Sequence, residues 1–207
     1  MTFLTRIAVN KSRRETMLIL ARPERLHAAI YAGFPTVSNE GDRRDVLWRM
    51  DEQYSGPVIY VVSSSRPDYT GFVESYGWPR RPYDDQVKTV SYDAALASIR
   101  DGDTLRFRIS ASTQMRRNGA LTPVTGIASQ EEWLQKRAAP NGFAIGSMTI
   151  TKAGSGIIDS RNHLIRFPWA QYDGILTIND REAFTMMLSH GLGREKAYGM
   201  GLMTVSA

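Results

Sequence analysis

From Phe3 to Val9 apolar and polar residues alternate, the period of a strand with one face covered. Asn10–Arg14 reads as a basic turn. The period then lengthens. Pro23 suits the first turn of a helix and Glu24–Ala32 continues it. Gly33-Phe34-Pro35 ends it, because the residue before a proline resists the α region. Leu26, Ala29, Ile30 and Gly33 share one face of that helix and are expected to pack on a sheet. Asp45–Met50 and Pro57–Ser63 read as the strands of a hairpin that turns through Asp51–Gly56. Ser64–Tyr83, with Pro67, Pro79 and Pro82, reads as an irregular loop anchored by Trp78. Val87–Tyr92 is expected as a strand and Ala94–Arg100 as a short helix.

After Gly102 the order of elements starts again. Thr104–Ser110 is expected as a strand, Glu131–Ala139 as a helix, and Phe143–Thr151 as a strand. A hairpin region over Ile157–Trp169 and a short strand within Gly174–Ile178 follow. Met115–Gly119 falls in a loop, and Gly154–Arg166 reads as a flexible lead into the hairpin. Asn179 is placed to cap the next helix, and Glu182 completes a capping-box pattern. Ala183, Phe184, Met187 and Leu188 repeat at helical spacing over Asp180–His190, Gly191 stops the run, and Lys196–Val205 is expected as the last strand. Strand, helix, two strands, connection and strand is the order of a ferredoxin-like unit. The predicted fold is therefore α+β, two tandem ferredoxin-like (RRM-like) domains over residues 1–92 and 103–207, joined near Tyr92–Asp103, with a glycine-rich loop near the C-terminus.

That loop places Gly191 and Gly193 five residues ahead of Gly199 and Gly201, with Arg194 and Lys196 between the pairs. Without a Cβ, backbone can approach backbone or a phosphate closely. A dinucleotide fingerprint is excluded, because there the glycines lead from a strand into a helix, and here they lead out of a helix into a strand. A helix stop followed by a tight structural turn remains open beside a binding role.

Charge narrows the partners. The 207 residues carry a formal net charge of +5, which favours a polyanion, and no run of about 18 apolar residues offers a membrane span. With no cysteine there is no disulfide and no thiolate metal site; a cytoplasmic protein fits, and the absence of cysteine also suits a secreted one. The three histidines are widely spaced and no carboxylate pair sits at ligand spacing, so no metal or other cofactor is expected.

Two groups of residues carry candidate chemistry. At about 100° per residue, His27 sits on the border of the apolar face of its helix, with Glu24 and Tyr31 along the same flank. An imidazole with an ordinary pKa near 6.5 takes or gives a proton at neutrality, and packing can hold such a ring while a substrate still reaches it. A boundary histidine that only bonds locally fits the same pattern. Arg22 or Arg25 lies close enough along the chain to stabilise charge near it. Basic side chains recur in the second half. Leu105-Arg106-Phe107-Arg108-Ile109 alternates apolar residues with arginine, Arg116 and Arg117 occupy the loop, and Arg161 and Arg166 flank His163 beside Phe167 and Trp169. Solvated charge explains each one singly; together they suit nucleic acid.

The glycine-rich C-terminus GILTINDREAFTMMLSHGLGREKAYGMGLMTV resembles that of the CasE (Cse3) family, the CRISPR RNA-processing endoribonucleases of type I-E Cascade complexes. RLHAAIYAGFP, residues 25–35, resembles the family's first helix, and DVLWRMDE, RFRISAS and EEWLQKRA resemble later segments in the same order. The resemblance implies metal-independent cleavage of CRISPR precursor RNA at the 3′ base of each repeat stem-loop. It implies His27 as catalytic histidine, repeat hairpin RNA and other Cascade subunits as partners, and a monomer when free. Some members carry a tyrosine three residues before the histidine, where this chain has Glu24; Glu24 and Tyr31 stand as candidates to assist. Arg25, Arg106, Arg108, Arg116, Arg117, Arg161, Arg166, Arg194 and Lys196 are the expected RNA contacts. A non-catalytic RNA-binding subunit of the same fold is the alternative. A more distant one is a metabolic enzyme whose basic patch holds a small anion.

Overall fold

The alternating N-terminal segment becomes strand β1 (Phe3–Ala8), which pairs antiparallel with a partner on each side. The computed structural model describes residues 1–34, 46–160 and 163–207, with the side chains of 159, 160 and 163 left aside. The chain divides into two compact units, Met1–Ala97 with Ala197–Gly199, and Ser98–Lys196 with Met200–Ala207.

In the first unit β1 is followed by α1 (Arg14–Leu20), α2 (Pro23–Tyr31), β2 (Leu47–Gln53) and β3 (Gly56–Ser63). Then come α3 (Thr70–Tyr76), α4 (Tyr83–Gln86), β4 (Val87–Ser91) and α5 (Asp93–Ser98). The strands order as β2-β3-β1-β4, all antiparallel, which is ferredoxin-like connectivity. Ile7, Ile59 and Val61 from the sheet pack with Ile19, Leu26 and Ile30 from α1 and α2 and with Tyr69 and Phe72. The expected helix face of Leu26 and Ile30 is thus core.

Two expectations fail here. The basic turn ends in a helix, α1, whose buried residues are only Thr16 and Ile19, too few to show a period in the chain. The expected loop over 64–83 contains α3, because the prolines flank the helix and do not interrupt it. The Asp68 carboxylate accepts hydrogen bonds from the Thr70 amide and hydroxyl, at 2.9 and 2.7 Å, in a turn just ahead of that helix. Tyr69 and Phe72 anchor the segment, whereas Trp78 is half-buried with the Arg81 guanidinium 4.4 Å over its ring.

The second unit runs β5 (Thr104–Ser112), β6 (Gln114–Arg117), β7 (Ala120–Pro123), α6 (Ile127–Ala138) and β8 (Phe143–Ser160). It ends with β9 (His163–Ile178), α7 (Arg181–His190) and β10 (Met203–Ser206). Its sheet orders as β10-β5-β9-β8, again antiparallel, so the ferredoxin-like connectivity repeats. Residues 115–119, expected as a loop, form the tip of the β6–β7 hairpin, where Asn118 and Gly119 both take positive φ, as a tight two-residue turn requires. The segments expected as separate short strands fuse into the β8–β9 ribbon. Gly154 and Gly156 continue the strand: they pair with Trp169 and Phe167 across the ribbon, whose rings cover the glycines so closely that a Cβ at 156 would meet the Phe167 ring. Asp180, not Asn179, caps α7, accepting from the Ala183 amide at 3.0 Å. The expected final strand shortens to β10, because Lys196–Tyr198 forms a single 3-10 turn. Among the described residues no helix is long and apolar enough to cross a membrane.

Candidate functional site

Helix α2 begins with Pro23, whose missing N–H is not needed in a first turn, and carries Glu24 where an acidic residue favours the helix dipole. Burial of Leu26 and Ile30 fixes its rotation. His27 is then held at the border, half-buried, with its Nδ1 shielded from solvent. Tyr31, one turn on, sets its ring against the imidazole, with centroids 4.1 Å apart and planes tilted by 44°. The Tyr31 hydroxyl donates to the Val46 carbonyl at 3.4 Å, which ties the far end of the ring to the start of β2. Glu24 lies about one turn before His27, and its carboxylate is 4.0 Å from the Arg22 guanidinium. The structure therefore gathers Glu24, His27 and Tyr31 on one half-buried flank, with Arg25 exposed on the same helix.

A residue that sequence reasoning missed stands beside them. Ala197–Gly199 belongs to the first unit, and Tyr198 lies with its ring centroid 6.0 Å from that of His27. The segment is seated on β2: the Trp48 indole N–H donates to the Ala197 carbonyl at 3.1 Å. Gly199 has φ +81° and lies so near the Trp48 ring that a Cβ there would come within 2.7 Å of it. The available signal was an aromatic residue between two glycine pairs.

The four loop glycines all take positive φ. Gly191 closes α7, and Gly201 donates its amide to the Ser110 carbonyl at 2.7 Å on β5. The basic residues of this loop differ. Arg194 is exposed. Lys196 is half-buried, its ammonium donates to the His190 carbonyl at 2.6 Å, and burial lowers its pKa, so it caps the end of α7 instead of standing clear in solvent.

The remaining arginines divide in the same way. Arg106, Arg116, Arg117 and Arg166 are exposed. Arg108, expected on an open basic face, is instead paired with Asp173 across β5 and β9, with Nη2 2.9 Å from Oδ2. Arg161 lies outside the described residues. β5 ends opposite Trp169, so residues 163–168 of β9 run past it, and β6 leaves from the same end, where the Thr113 amide donates to the Pro168 carbonyl at 2.9 Å. The arms bearing Arg116, Arg117 and Arg166 therefore leave the sheet at one end.

A partly exposed imidazole beside aromatic rings, with a carboxylate one turn away, is the kind of group that serves as a general acid or base. Among the described residues no three His, Asp or Glu side chains gather as a metal-ligand set.

Comparison with known proteins covers the whole chain. The family model described as CRISPR associated protein matches residues 2–207. The curated CRISPR-associated endoribonuclease Cse3 of Thermus thermophilus is 24% identical over 224 residues, covering 99% of each chain. A solved structure of the Thermus thermophilus Cse3 bound to an RNA representing a pre-cleavage complex superposes with a TM-score of 0.80 at 24% identity, covering 100% of this chain and 99% of that one. A chain of a CRISPR RNA-guided surveillance complex gives a TM-score of 0.67 at 22% identity, covering 99% of this chain and 98% of that one.

Proposed function

The chain belongs to the CRISPR associated protein family, and we propose that it is a metal-independent endoribonuclease that cuts CRISPR precursor RNA at the 3′ base of the repeat stem-loop. It needs no cofactor, works in the cytoplasm as a monomer when free, and retains the mature guide RNA within Cascade. The observation that carries this reading is the half-buried His27 of α2, packed on Tyr31, in a chain similar along its length to a curated endoribonuclease.

RNA carries its own nucleophile. The 2′-hydroxyl attacks the adjacent phosphorus, the P–O5′ bond breaks, and the products are a 2′,3′-cyclic phosphate and a 5′-hydroxyl. One proton leaves the 2′-oxygen and one arrives on the 5′-oxygen. His27 handles one of these transfers, a contribution of roughly 10²–10⁴-fold. Glu24 and Tyr31 orient its ring, and Arg22 or Arg25 offsets the charge growing on the phosphorane. Arg106, Arg116, Arg117, Arg161, Arg166 and Arg194 hold the RNA backbone, since an A-form stem is read mainly through its shape and phosphates.

The test is incubation of the protein with its own repeat RNA in EDTA, followed by end-group analysis. Cleavage with a 2′,3′-cyclic phosphate and a 5′-hydroxyl is expected. Tight binding without cleavage would instead assign the non-catalytic binding role, and strict dependence on magnesium would overturn the scheme.

A further inference from the structure

The geometry points to Tyr198 as a positioning residue for His27, seated for that purpose by Trp48 and Gly199. The inference rests on the proposed proton-transfer role of His27 and extends it to a residue 171 positions further along the chain (198 − 27).

An imidazole on a helix flank can swing about two side-chain torsions. Tyr31 restricts it from within the same helix, at a centroid distance of 4.1 Å. Both of these side chains spring from the same α2 flank. Tyr198 comes from a different part of the chain, and its ring stands 6.0 Å from the imidazole at a tilt of 43°, within the range of aromatic packing. With Tyr31 it limits the orientations in which His27 can meet an RNA.

A loop residue can position another only if the loop itself is fixed, and this one is fixed twice. The Trp48 indole donates to the carbonyl just before Tyr198, at 3.1 Å. Just after Tyr198, Gly199 lies on the Trp48 ring with φ +81°. Any other residue at 199 would be strained in that backbone region and would drive a Cβ into the indole. Trp48 is itself 3% exposed and packed in the core of the unit, so the seat is rigid. Gly199 thus has a local purpose: it lets the chain press onto Trp48 and bring Tyr198 near His27.

Because the ring makes the contact, Tyr198→Phe should cleave repeat RNA within a few-fold of wild type. Tyr198→Ala should lower the single-turnover rate constant by about 10–100-fold, the scale expected when a reacting group is misplaced by an ångström or so. Affinity for a non-cleavable 2′-deoxy repeat RNA should stay within about two-fold, since the residue acts on the chemical step. Gly199→Ala should resemble Tyr198→Ala. Tyr198→Leu serves the same purpose should the alanine variant fold poorly.

A second readout needs no cleavage. In the free protein the ring protons of His27, assigned by their loss in His27→Gln, should be displaced by the neighbouring aromatic rings. The displacement should persist in Tyr198→Phe and shrink in Tyr198→Ala. Cleavage by Tyr198→Ala within two-fold of wild type, a phenylalanine variant as slow as the alanine one, or His27 signals indifferent to residue 198 would each overturn the inference. If the wild type cuts no repeat RNA, the endonuclease reading fails while the proton signals still decide the contact.

Discussion

The two units share one connectivity but treat the border between helix and sheet in opposite ways. In the second unit α6 seals it. Trp133 is 1% exposed, its indole donates to the Gln114 carbonyl at 2.8 Å, and the Arg137 guanidinium stacks 3.8 Å over its ring. The Tyr172 hydroxyl donates to the Gln130 carbonyl at 2.9 Å, and burial pushes its phenol far above the ordinary value despite the opposing charge of Arg137. At that border Trp133 and Tyr172 are closed off from solvent and hydrogen-bonded. In the first unit α2 places His27 half-exposed, with the rings of Tyr31 and Tyr198 near it. One topology therefore supports either a sealed core edge or a reachable imidazole, and the choice lies in a few side chains of one helix.

The strongest way to break this contrast is to remove the imidazole. His27→Ala should slow single-turnover cleavage by about 10²–10⁴-fold, the range for losing a general acid or base. Its affinity for repeat RNA should stay close to wild type, since the exposed arginines are untouched. Thermal unfolding should shift little, because the side chain is half-buried. A variant that still cuts at the wild-type rate would return His27 to the status of a packing residue, and the two helix borders would then differ only in dryness.

Element order could be read in the chain wherever burial imposed a period on it. The α2 face of Leu26 and Ile30, and Phe184, Met187 and Leu188 on α7, are buried as the spacing predicts. α1 and α3 escaped notice because each buries only one or two side chains. The β8–β9 ribbon was divided because glycine reads as a break, whereas Gly154 and Gly156 are the flat places on which Trp169 and Phe167 lie. The border position of His27 followed from helix geometry. The approach of Tyr198 could not, since it depends on where a loop near the far end of the chain settles. The pairing of Arg108 with Asp173 was hidden for a related reason: alternation gives the face of a residue, and cross-strand register decides its partner.

The contrast sharpens when charge is tested separately from chemistry. Arg116, Arg117 and Arg166 are exposed on arms that leave one end of the second sheet. If each meets a phosphate, the triple alanine variant should bind repeat RNA at least about tenfold more weakly near physiological salt. The slope of log affinity against log salt should fall by about one per arginine. At saturating RNA its single-turnover rate constant should match wild type. An unchanged salt slope would move the binding surface elsewhere, to the exposed Arg25, Arg106 and Arg194.

Arg108 makes the opposite control, an arginine whose charge serves the fold. Burial alone would raise the Asp173 carboxyl, but hydrogen bonds from Arg108, Thr151 and Gln171 and the Arg108 charge outweigh it and hold the pKa below the ordinary value. A carboxylate with a depressed folded pKa contributes stability that is fully present above its unfolded value, near 4, and is lost as the pH falls through the folded one. The side chains are 37% and 27% exposed, so solvent screens the pair. Arg108→Met should therefore cost only about 0.5–1 kcal/mol at pH 7 by denaturant titration. The difference from wild type should shrink as Asp173 is protonated below about pH 4. Its salt slope for RNA should equal that of wild type. A slope lowered by one unit, with stability unchanged, would mean that RNA draws Arg108 away from Asp173, and β5 would then rejoin the binding face.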